Sequence, residues 1–228
     1  YRDSFFRAGV AAGVEHEPLL KSLRFATVVD IGANRGQFAL VARSCFPGAR
    51  IIAFEPLAAP AKRFQSTRLR DDPLTTLHPV AIGPAAATAT MHVAAEDDSS
   101  SLLPITPLQQ SLFDGTSEVA TETIQIECLA SRIGEGELQA PALLKIDVQG
   151  YELSTLEGCA ALLPRFSHVY VECSFVELYA GQSLAPEVIA FLRDHGFDLC
   201  GVYNVSYDPR GKAVQADMLF AARTAQAT

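Results

Sequence analysis

Long hydrophobic runs are missing from the sequence, although 49% of its 228 residues are hydrophobic. A bilayer-spanning helix needs roughly 20 consecutive apolar residues, whereas the apolar runs here are as short as strands and end in charged or turn residues. The chain also starts at Tyr1 without an initiator methionine and shows no charged-then-apolar signal pattern. We therefore expect a globular cytoplasmic protein with no membrane partner and a trimmed N-terminus.

Paired cysteines and metal-binding motifs are lacking as well. The five cysteines are scattered and form no CxxC pair, which is typical of reduced thiols rather than of a disulfide framework. None of the five histidines has the spacing of a metal-ligand pair. Two of them, His16 and His195, are predicted to be helical and exposed.

Clusters of basic residues are absent too. The chain carries 26 acidic and 18 basic residues, which gives a formal net charge of -8. Because proteins that bind nucleic acid concentrate Lys and Arg on one surface, this balance disfavours a nucleic-acid partner.

Alternating strand and helix patterns fill most of the chain. Apolar runs bounded by turn residues alternate with helical patterns on both sides of a central polar stretch, and the last two runs form a hairpin. This order predicts an α/β protein with a mostly parallel sheet, helices on both faces and one antiparallel strand. We predict a single domain over residues 1–228, with a leading helical segment at 1–24 and a polar insertion or lid at 96–120.

A glycine-bearing loop follows the first predicted strand. The strand ends at Asp30 and breaks into Gly32, Asn34 and Gly36 before a helix begins. Glycines let backbone approach a ligand closely, and the helix N-terminus faces that ligand. The spacing departs from the GxGxxG of dinucleotide-binding proteins, so an NAD-dependent oxidoreductase is poorly supported.

An acidic residue ends each of the first two predicted strands. Asp30 would repel a pyrophosphate but attract an ammonium or sulfonium group. Glu55 can accept hydrogen bonds from both hydroxyls of a ribose, and Pro56 stiffens the turn that follows. A ligand with a ribose and a cationic amino-acid end is S-adenosylmethionine, which we predict as the cofactor.

Three charged residues near the ends of two later strands are candidates for catalysis. Lys145 and Asp147 are two positions apart and share one side of a strand. Glu172 ends the neighbouring strand, and two close carboxylates raise each other's proton affinity, which suits a general acid or base. A structural ion pair of Lys145 with Asp147 remains an alternative, as does a minimal metal site formed by Asp147 and Glu172.

Six sequence strings resemble the FkbM family of S-adenosylmethionine-dependent methyltransferases. They occur in the family's order over residues 25–222 and read VVDIGANRGQF, IIAFEP, HPVAIG, SSSLL, LLKIDVQGYELSTLEG and VYVECS. The resemblance implies a class I methyltransferase (Rossmann-like) fold with seven strands in the order 3-2-1-4-5-7-6. It also implies a cofactor-binding set, which comprises Asp30, Gly32, Ala33, Asn34, Gly36, Glu55, Pro56, Val80 and Ala81.

The same resemblance implies methyl transfer to a hydroxyl oxygen. We therefore expect an O-methyltransferase that acts on a small hydroxylated acceptor, such as a sugar or a secondary-metabolite alcohol, with Lys145, Asp147 and Glu172 as catalytic candidates. Two alternatives remain: a catalytically inactive cofactor-binding partner subunit, and an RNA 2′-hydroxyl methyltransferase. Fold alone does not exclude the first, while the net charge disfavours the second.

Overall fold

The computed structural model describes residues 9–223. Within this range there are six α-helices, namely α1 (Glu17–Lys21), α2 (Gln37–Cys45), α3 (Ala58–Phe64), α4 (Pro107–Leu112), α5 (Glu152–Cys159) and α6 (Ala185–Asp194). The ten strands are β1 (Thr27–Ile31), β2 (Arg50–Phe54), β3 (Thr75–His78), β4 (Ala81–Ile82), β5 (Ala87–Ala94), β6 (Glu118–Glu127), β7 (Ala142–Ile146), β8 (His168–Ser174), β9 (Phe197–Tyr207) and β10 (Ala213–Ala222). No helix between residues 9 and 223 has the length and hydrophobicity to cross a bilayer.

Seven strands form the main sheet in the order β3-β2-β1-β7-β8-β10-β9. Counted along the chain within this sheet, the order is 3-2-1-4-5-7-6, as predicted. Only β10 runs antiparallel to its neighbours β8 and β9, because the terminal hairpin reverses the chain. The α/β class and the single antiparallel strand are therefore confirmed.

The middle of the chain forms a second, three-stranded sheet in the order β4-β6-β5. The apolar run at residues 75–83, which has the pattern of one continuous strand, is instead divided between the two sheets. Pro79 interrupts the run because it has no backbone N–H for the ladder. The chain leaves the main sheet after His78 and enters the second sheet at Ala81.

Two apolar layers cover the two faces of the main sheet. Alternate residues of β1 show the division, since Val28 packs in the layer with α1 and α2 while Val29 packs in the layer with α5 and α6. This period of two is what a strand buried on both faces requires. The predicted placement of helices on both faces is confirmed.

The leading segment is helical only in part. Residues 1–8 of the predicted segment lie outside the described residues, and a single 3-10 turn (Val14–His16) precedes α1. Pro18 lies in the first turn of α1, where its missing N–H costs nothing. Leu19 and Leu20 are buried, and the Gly13 N–H donates to the Gln37 carbonyl at 2.9 Å. The segment thereby covers α2 and the nearby strand ends.

Gly32 lies where two loops at the carboxyl edge of the sheet meet. Its φ is 79°, in the left-handed region, and a Cβ added there would lie 1.8 Å from the carbonyl oxygen of Asp147. Only glycine satisfies both constraints. The close approach brings the loop after β1 against the loop after β7.

We predict that Gly32→Ala destabilises the fold by at least about 2 kcal/mol, because the methyl group clashes with backbone and the positive φ adds strain. Urea unfolding of the purified variant measures this loss. Gly48→Ala is the matched control, since nothing lies within 4 Å of a Cβ at Gly48. Equal midpoints for the two variants would contradict the close approach.

Candidate active site

Two adjoining cavities open at the carboxyl ends of β1, β2 and β7. We call them the inner and the outer cavity. The inner cavity is narrow, about 50 Å³, and reaches towards the second sheet between Glu55, Val80 and Tyr151. The outer cavity, about 450 Å³, lies below the leading segment. Four residues line both cavities: Gly32, Asn34, Asp98 and Asp147.

Glu55 anchors the wall of the inner cavity. Its two carboxylate oxygens accept backbone hydrogen bonds from Asn34 at 2.9 Å and from Leu57 at 2.8 Å. Burial raises the pKa of Glu55 to about 7, although these two donors oppose the rise. Each oxygen keeps a lone pair for a further donor. Glu55 can therefore hold the loop after β1 and still accept ligand hydroxyls.

The glycine loop is also tied to the polar insertion. Asn34, whose φ is 46°, donates from Nδ2 to Asp97 Oδ1 at 3.0 Å. Arg35 donates from Nε to Asp97 Oδ2 at 3.0 Å, and its Nη2 lies 2.8 Å from Asp97 Oδ1. This bidentate pairing holds the start of the insertion against the cavities.

A buried ion pair lies beneath the outer cavity. Asp30 and Lys145 are opposite each other on β1 and β7, and Lys145 Nζ lies 3.4 Å from Asp30 Oδ1 and 3.6 Å from Asp147 Oδ2. Burial alone would lower the pKa of Lys145, but the charges of Asp30, Asp147 and Asp217 outweigh it and raise that pKa. Lys145 therefore remains a cation.

Gln149 joins the two predicted catalytic carboxylates. Its Nε2 donates to Asp147 Oδ1 at 2.7 Å and to Glu172 Oε2 at 3.0 Å, while Gln215 donates to the other Glu172 oxygen at 3.0 Å. Burial, followed by the neighbouring charge of Asp147, raises the pKa of Glu172 well above its usual range. The structure thus brings Lys145, Asp147 and Glu172 together, but Glu172 lines neither cavity.

The predicted cofactor-binding residues divide into two groups. Seven line one or both cavities: Gly32, Ala33, Asn34, Glu55, Pro56, Val80 and Ala81. Asp30 and Gly36 line neither. The side chain of Asp30 is fully buried and pairs with Lys145 rather than facing the cavities. Gly36 caps α2 with a φ of 93°, and a Cβ there would lie 2.8 Å from Phe64.

Several residues that line the cavities were not predicted from the sequence to lie there. His16, predicted to be exposed, has a side chain only 14% exposed and lines the outer cavity, so that prediction was wrong. Tyr151 borders the inner cavity, and Asp98 borders both. Burial raises the pKa of Asp98. Tyr151 could have been predicted, because it belongs to the KIDVQGYE string that carries the family resemblance. The position of His16 could not, because it depends on long-range packing.

The described part of the structure contains no cluster of side chains that would support the hypothesis of a metal site. Over residues 9–223, no group of three or more His, Cys, Asp and Glu side chains is placed to hold a metal ion. Between Asp147 and Glu172 lies the amide of Gln149, a hydrogen-bond donor. We therefore derive no step through a metal.

The strand order, the glycine loop after β1 and the acid at the end of β2 together define a class I methyltransferase. Residues 30–199 match the family described as Methyltransferase FkbM domain. The chain belongs to the FkbM methyltransferase family, and its cofactor is S-adenosylmethionine.

Proteins similar to the chain include the following three. It is 28% identical over 250 residues to the 31-O-demethyl-FK506 methyltransferase FkbM of Streptomyces tacrolimicus, with 99% of this chain and 89% of that protein covered. It is 28% identical over 178 residues to the hexuronic acid methyltransferase AglP of Haloferax volcanii, covering 74% and 67%. The match to the AMB antimetabolite synthetase AmbE of Pseudomonas aeruginosa, 28% over 202 residues, covers 76% of this chain and only 10% of AmbE.

The residues of the inner cavity fit the adenosine part of the cofactor. Glu55, a buried carboxylate with spare lone pairs, would accept the ribose hydroxyls, and the apolar side chains of Val80, Ala81 and Met91 line the cavity beyond it. Gly32 and Asn34 continue from the inner into the outer cavity. These two residues would face the methionine part.

We predict that Glu55→Ala weakens S-adenosylmethionine binding by about 1–3 kcal/mol, the range for removing a buried hydrogen-bond acceptor. In the unmutated protein, affinity should rise with pH through about 7, because the ionised carboxylate accepts hydroxyl hydrogens better than the protonated form. Titration calorimetry from pH 6 to pH 8 measures both effects. A pH-independent affinity, or unchanged binding by the variant, would contradict the role of Glu55.

We predict that Asp97→Ala releases the insertion, because Asn34 and Arg35 lose their shared acceptor. Amide hydrogen exchange over residues 97–112 should become about tenfold faster, and the cofactor should dissociate faster. The control is Asp114→Ala, an exposed acid of the same insertion. If both variants exchange like the unmutated protein, the pairing does not restrain the insertion.

Proposed function

We propose that this protein transfers a methyl group from S-adenosylmethionine to a hydroxyl oxygen of a small molecule. The observation that carries the proposal is the outer cavity. It is about 450 Å³, adjoins the inner cavity and presents the polar side chains of Arg35, Lys145 and Asp147 beside Phe38. A cavity of this size, lined largely by polar and charged side chains, suits a sugar or a similar hydroxylated ring.

The printed names of two relatives support this acceptor class. One methylates a demethyl-FK506 at a position designated 31-O, and another is a hexuronic acid methyltransferase. Both names describe oxygen-rich small molecules. We extend to this chain only the shared chemistry, a hydroxyl group on a compact acceptor.

Asp147 is the carboxylate best placed to bind the acceptor. Its side chain is 34% exposed and borders both cavities. Gln149 and Lys145 already engage its oxygens, but spare lone pairs remain for acceptor hydroxyls. We therefore propose that Asp147 orients the acceptor, while Lys145 balances its charge and Glu172 holds Gln149.

The cofactor supplies an electrophilic methyl group carried on a sulfonium. Orientation of the acceptor oxygen towards that group is the main contribution that the protein can make, since alignment of two reactants removes much of the entropic barrier. The insertion over the inner cavity also shields the reaction from water. We propose the insertion at 96–120 as the lid that admits and retains the cofactor.

An RNA acceptor is less well supported. The outer cavity carries three acids, Glu15, Asp98 and Asp147, and the formal net charge of the chain is -8. Phosphate groups would meet repulsion at this rim. A partner subunit without activity would bind the cofactor but methylate no acceptor, which the following experiment distinguishes.

The test of O-methylation uses S-adenosylmethionine labelled in its methyl group. The probes are methyl glycosides, methyl glucuronide and cyclohexane-1,2-diol, with the matching amines and thiols as controls. We expect a labelled methyl ether from at least one hydroxyl probe. We expect no labelled product from the amines and thiols. Tight cofactor binding without transfer to any hydroxyl probe would contradict the proposal.

We predict that Asp147→Asn lowers turnover about 100-fold or more, because the neutral amide orients the acceptor poorly and leaves Lys145 less compensated. Steady-state kinetics on the best hydroxyl probe measure the loss. Asp194→Asn, an exposed acid on α6, is the control. A near-normal rate for Asp147→Asn would remove Asp147 from the catalytic set.

A further inference from the structure

A polar relay lies behind the outer cavity, on the face of the main sheet that α1 and α2 cover. Tyr170 on β8 donates its hydroxyl hydrogen to Asp217 Oδ2 on β10 at 3.0 Å. His16 Nδ1 lies 3.1 Å from the same hydroxyl oxygen and 3.6 Å from Asp217 Oδ2. Three residues far apart in sequence therefore form one chain of contacts: Asp217, Tyr170 and His16.

The relay favours the His16 tautomer that carries its proton on Nδ1. Because the Tyr170 hydroxyl hydrogen points to Asp217, the Tyr170 oxygen is left as an acceptor, and His16 Nδ1–H is the donor that meets it. Asn204 Nδ2 lies 2.7 Å from Asp217 Oδ2, 3.4 Å from the Tyr170 oxygen and 3.3 Å from His16 Nδ1, so its two hydrogens have the carboxylate and the Tyr170 oxygen as acceptors. Nε2 then keeps its lone pair.

The relay combines the buried Tyr170 with two partly buried side chains, those of His16 and Asp217. Tyr170 is 2% exposed, and its pKa is raised by burial and by Asp217, so the phenol keeps its proton. Burial raises the pKa of Asp217, whereas the donors Asn204 and Tyr170 oppose that rise by binding its ionised form. Phe38 packs edge-on against the His16 ring at 5.3 Å and fixes its plane.

His16 lines the outer cavity together with Gly13 and Glu15, two residues that its Nε2 approaches. A Cβ placed on Gly13, which lines that cavity, would lie 3.5 Å from His16 Nε2. Lys145 and Asp147 border the same cavity. Glu15 Oε1 lies 3.4 Å from Nε2, and its side chain is 56% exposed. Glu15 is thus a partner for the ring once Nε2 has gained a proton.

We propose that His16 is the general base that takes the proton of the acceptor hydroxyl, and that Tyr170 and Asp217 position it. The inference rests on the proposed O-methylation. The acceptor oxygen forms a bond to the methyl carbon, the carbon–sulfur bond breaks with its electron pair remaining on sulfur, and the hydroxyl proton passes to His16 Nε2. The imidazolium is then stabilised by Asp217 and Glu15. Asp147 binds a neighbouring hydroxyl of the same acceptor.

The first test needs no acceptor. Long-range proton–nitrogen NMR correlation of protein labelled with ¹⁵N-histidine reports which ring nitrogen is protonated, and the spectrum of His16→Gln assigns the signal. We expect Nδ1 protonated and Nε2 bare at neutral pH, and a loss of this preference in Tyr170→Phe. A proton on Nε2 in the unmutated protein would overturn the proposal.

The second test uses the hydroxyl probe that the unmutated protein methylates best. We expect His16→Gln to lower kcat about 10²–10⁴-fold, as loss of a general base does, with the acceptor KM and the cofactor Kd each within about threefold. Tyr170→Phe should lower kcat less. Imidazole added to His16→Ala should restore part of the rate. The control is His195→Gln, at the exposed residue that follows α6, and its kcat should equal that of the unmutated protein.

The outcomes separate the two proposals. If the unmutated protein methylates no hydroxyl probe, the O-methylation proposal fails, and the NMR result alone decides the state of His16. If the unmutated protein is active and a folded His16→Gln keeps its kcat, only the assignment of His16 fails. Should His16→Gln not fold, Tyr170→Phe decides through the same kcat and nitrogen signals.

Discussion

The buried ammonium of Lys145 is the constraint around which the site is organised. It lies in the middle strand of the main sheet, opposite Asp30 on β1, and only 6% of the residue is exposed. A charge removed from water needs compensation, and removal of one partner of such a pair typically costs about 3–5 kcal/mol. Asp30 supplies that compensation from below and Asp147 from the cavity side. Asp147, the carboxylate proposed to face the acceptor, is therefore held by Lys145, whose buried charge needs a partner in any case.

Two contacts of the loop after β1 shape the cavities next to this ion pair. Gly32 brings the loop after β1 against the carbonyl of Asp147, and Glu55 holds that loop through the Asn34 N–H. Asp97 then closes the insertion over it. The inner cavity consequently has a floor held by close contacts between loops and a roof that depends on a few polar contacts. The outer cavity is covered by the leading segment instead.

Local pattern was sufficient for much of the fold. Period-two burial in β1 and the turn residues after it predict the strand, the loop and the helix α2, because these features depend on neighbours in sequence. Glu55 was predictable for the same reason, since it directly follows a buried strand. The second sheet was not predicted, because the pairing of β4 with β6 joins segments separated by the insertion. The break at Pro79 was its only local sign.

The sequence by itself determined the order of the elements, the glycine loop and the residue types available for cofactor binding, since each depends on short-range periodicity or on the chemistry of single residues. Only the tertiary structure decided where those residues face. Asp30 was expected at the cavity and instead pairs with Lys145, because register across β1 and β7 places them opposite each other. His16 was expected in solvent and instead meets Tyr170, 154 positions away, because the leading segment packs over the carboxyl edge of the sheet. Contacts at that separation leave no local pattern in the chain.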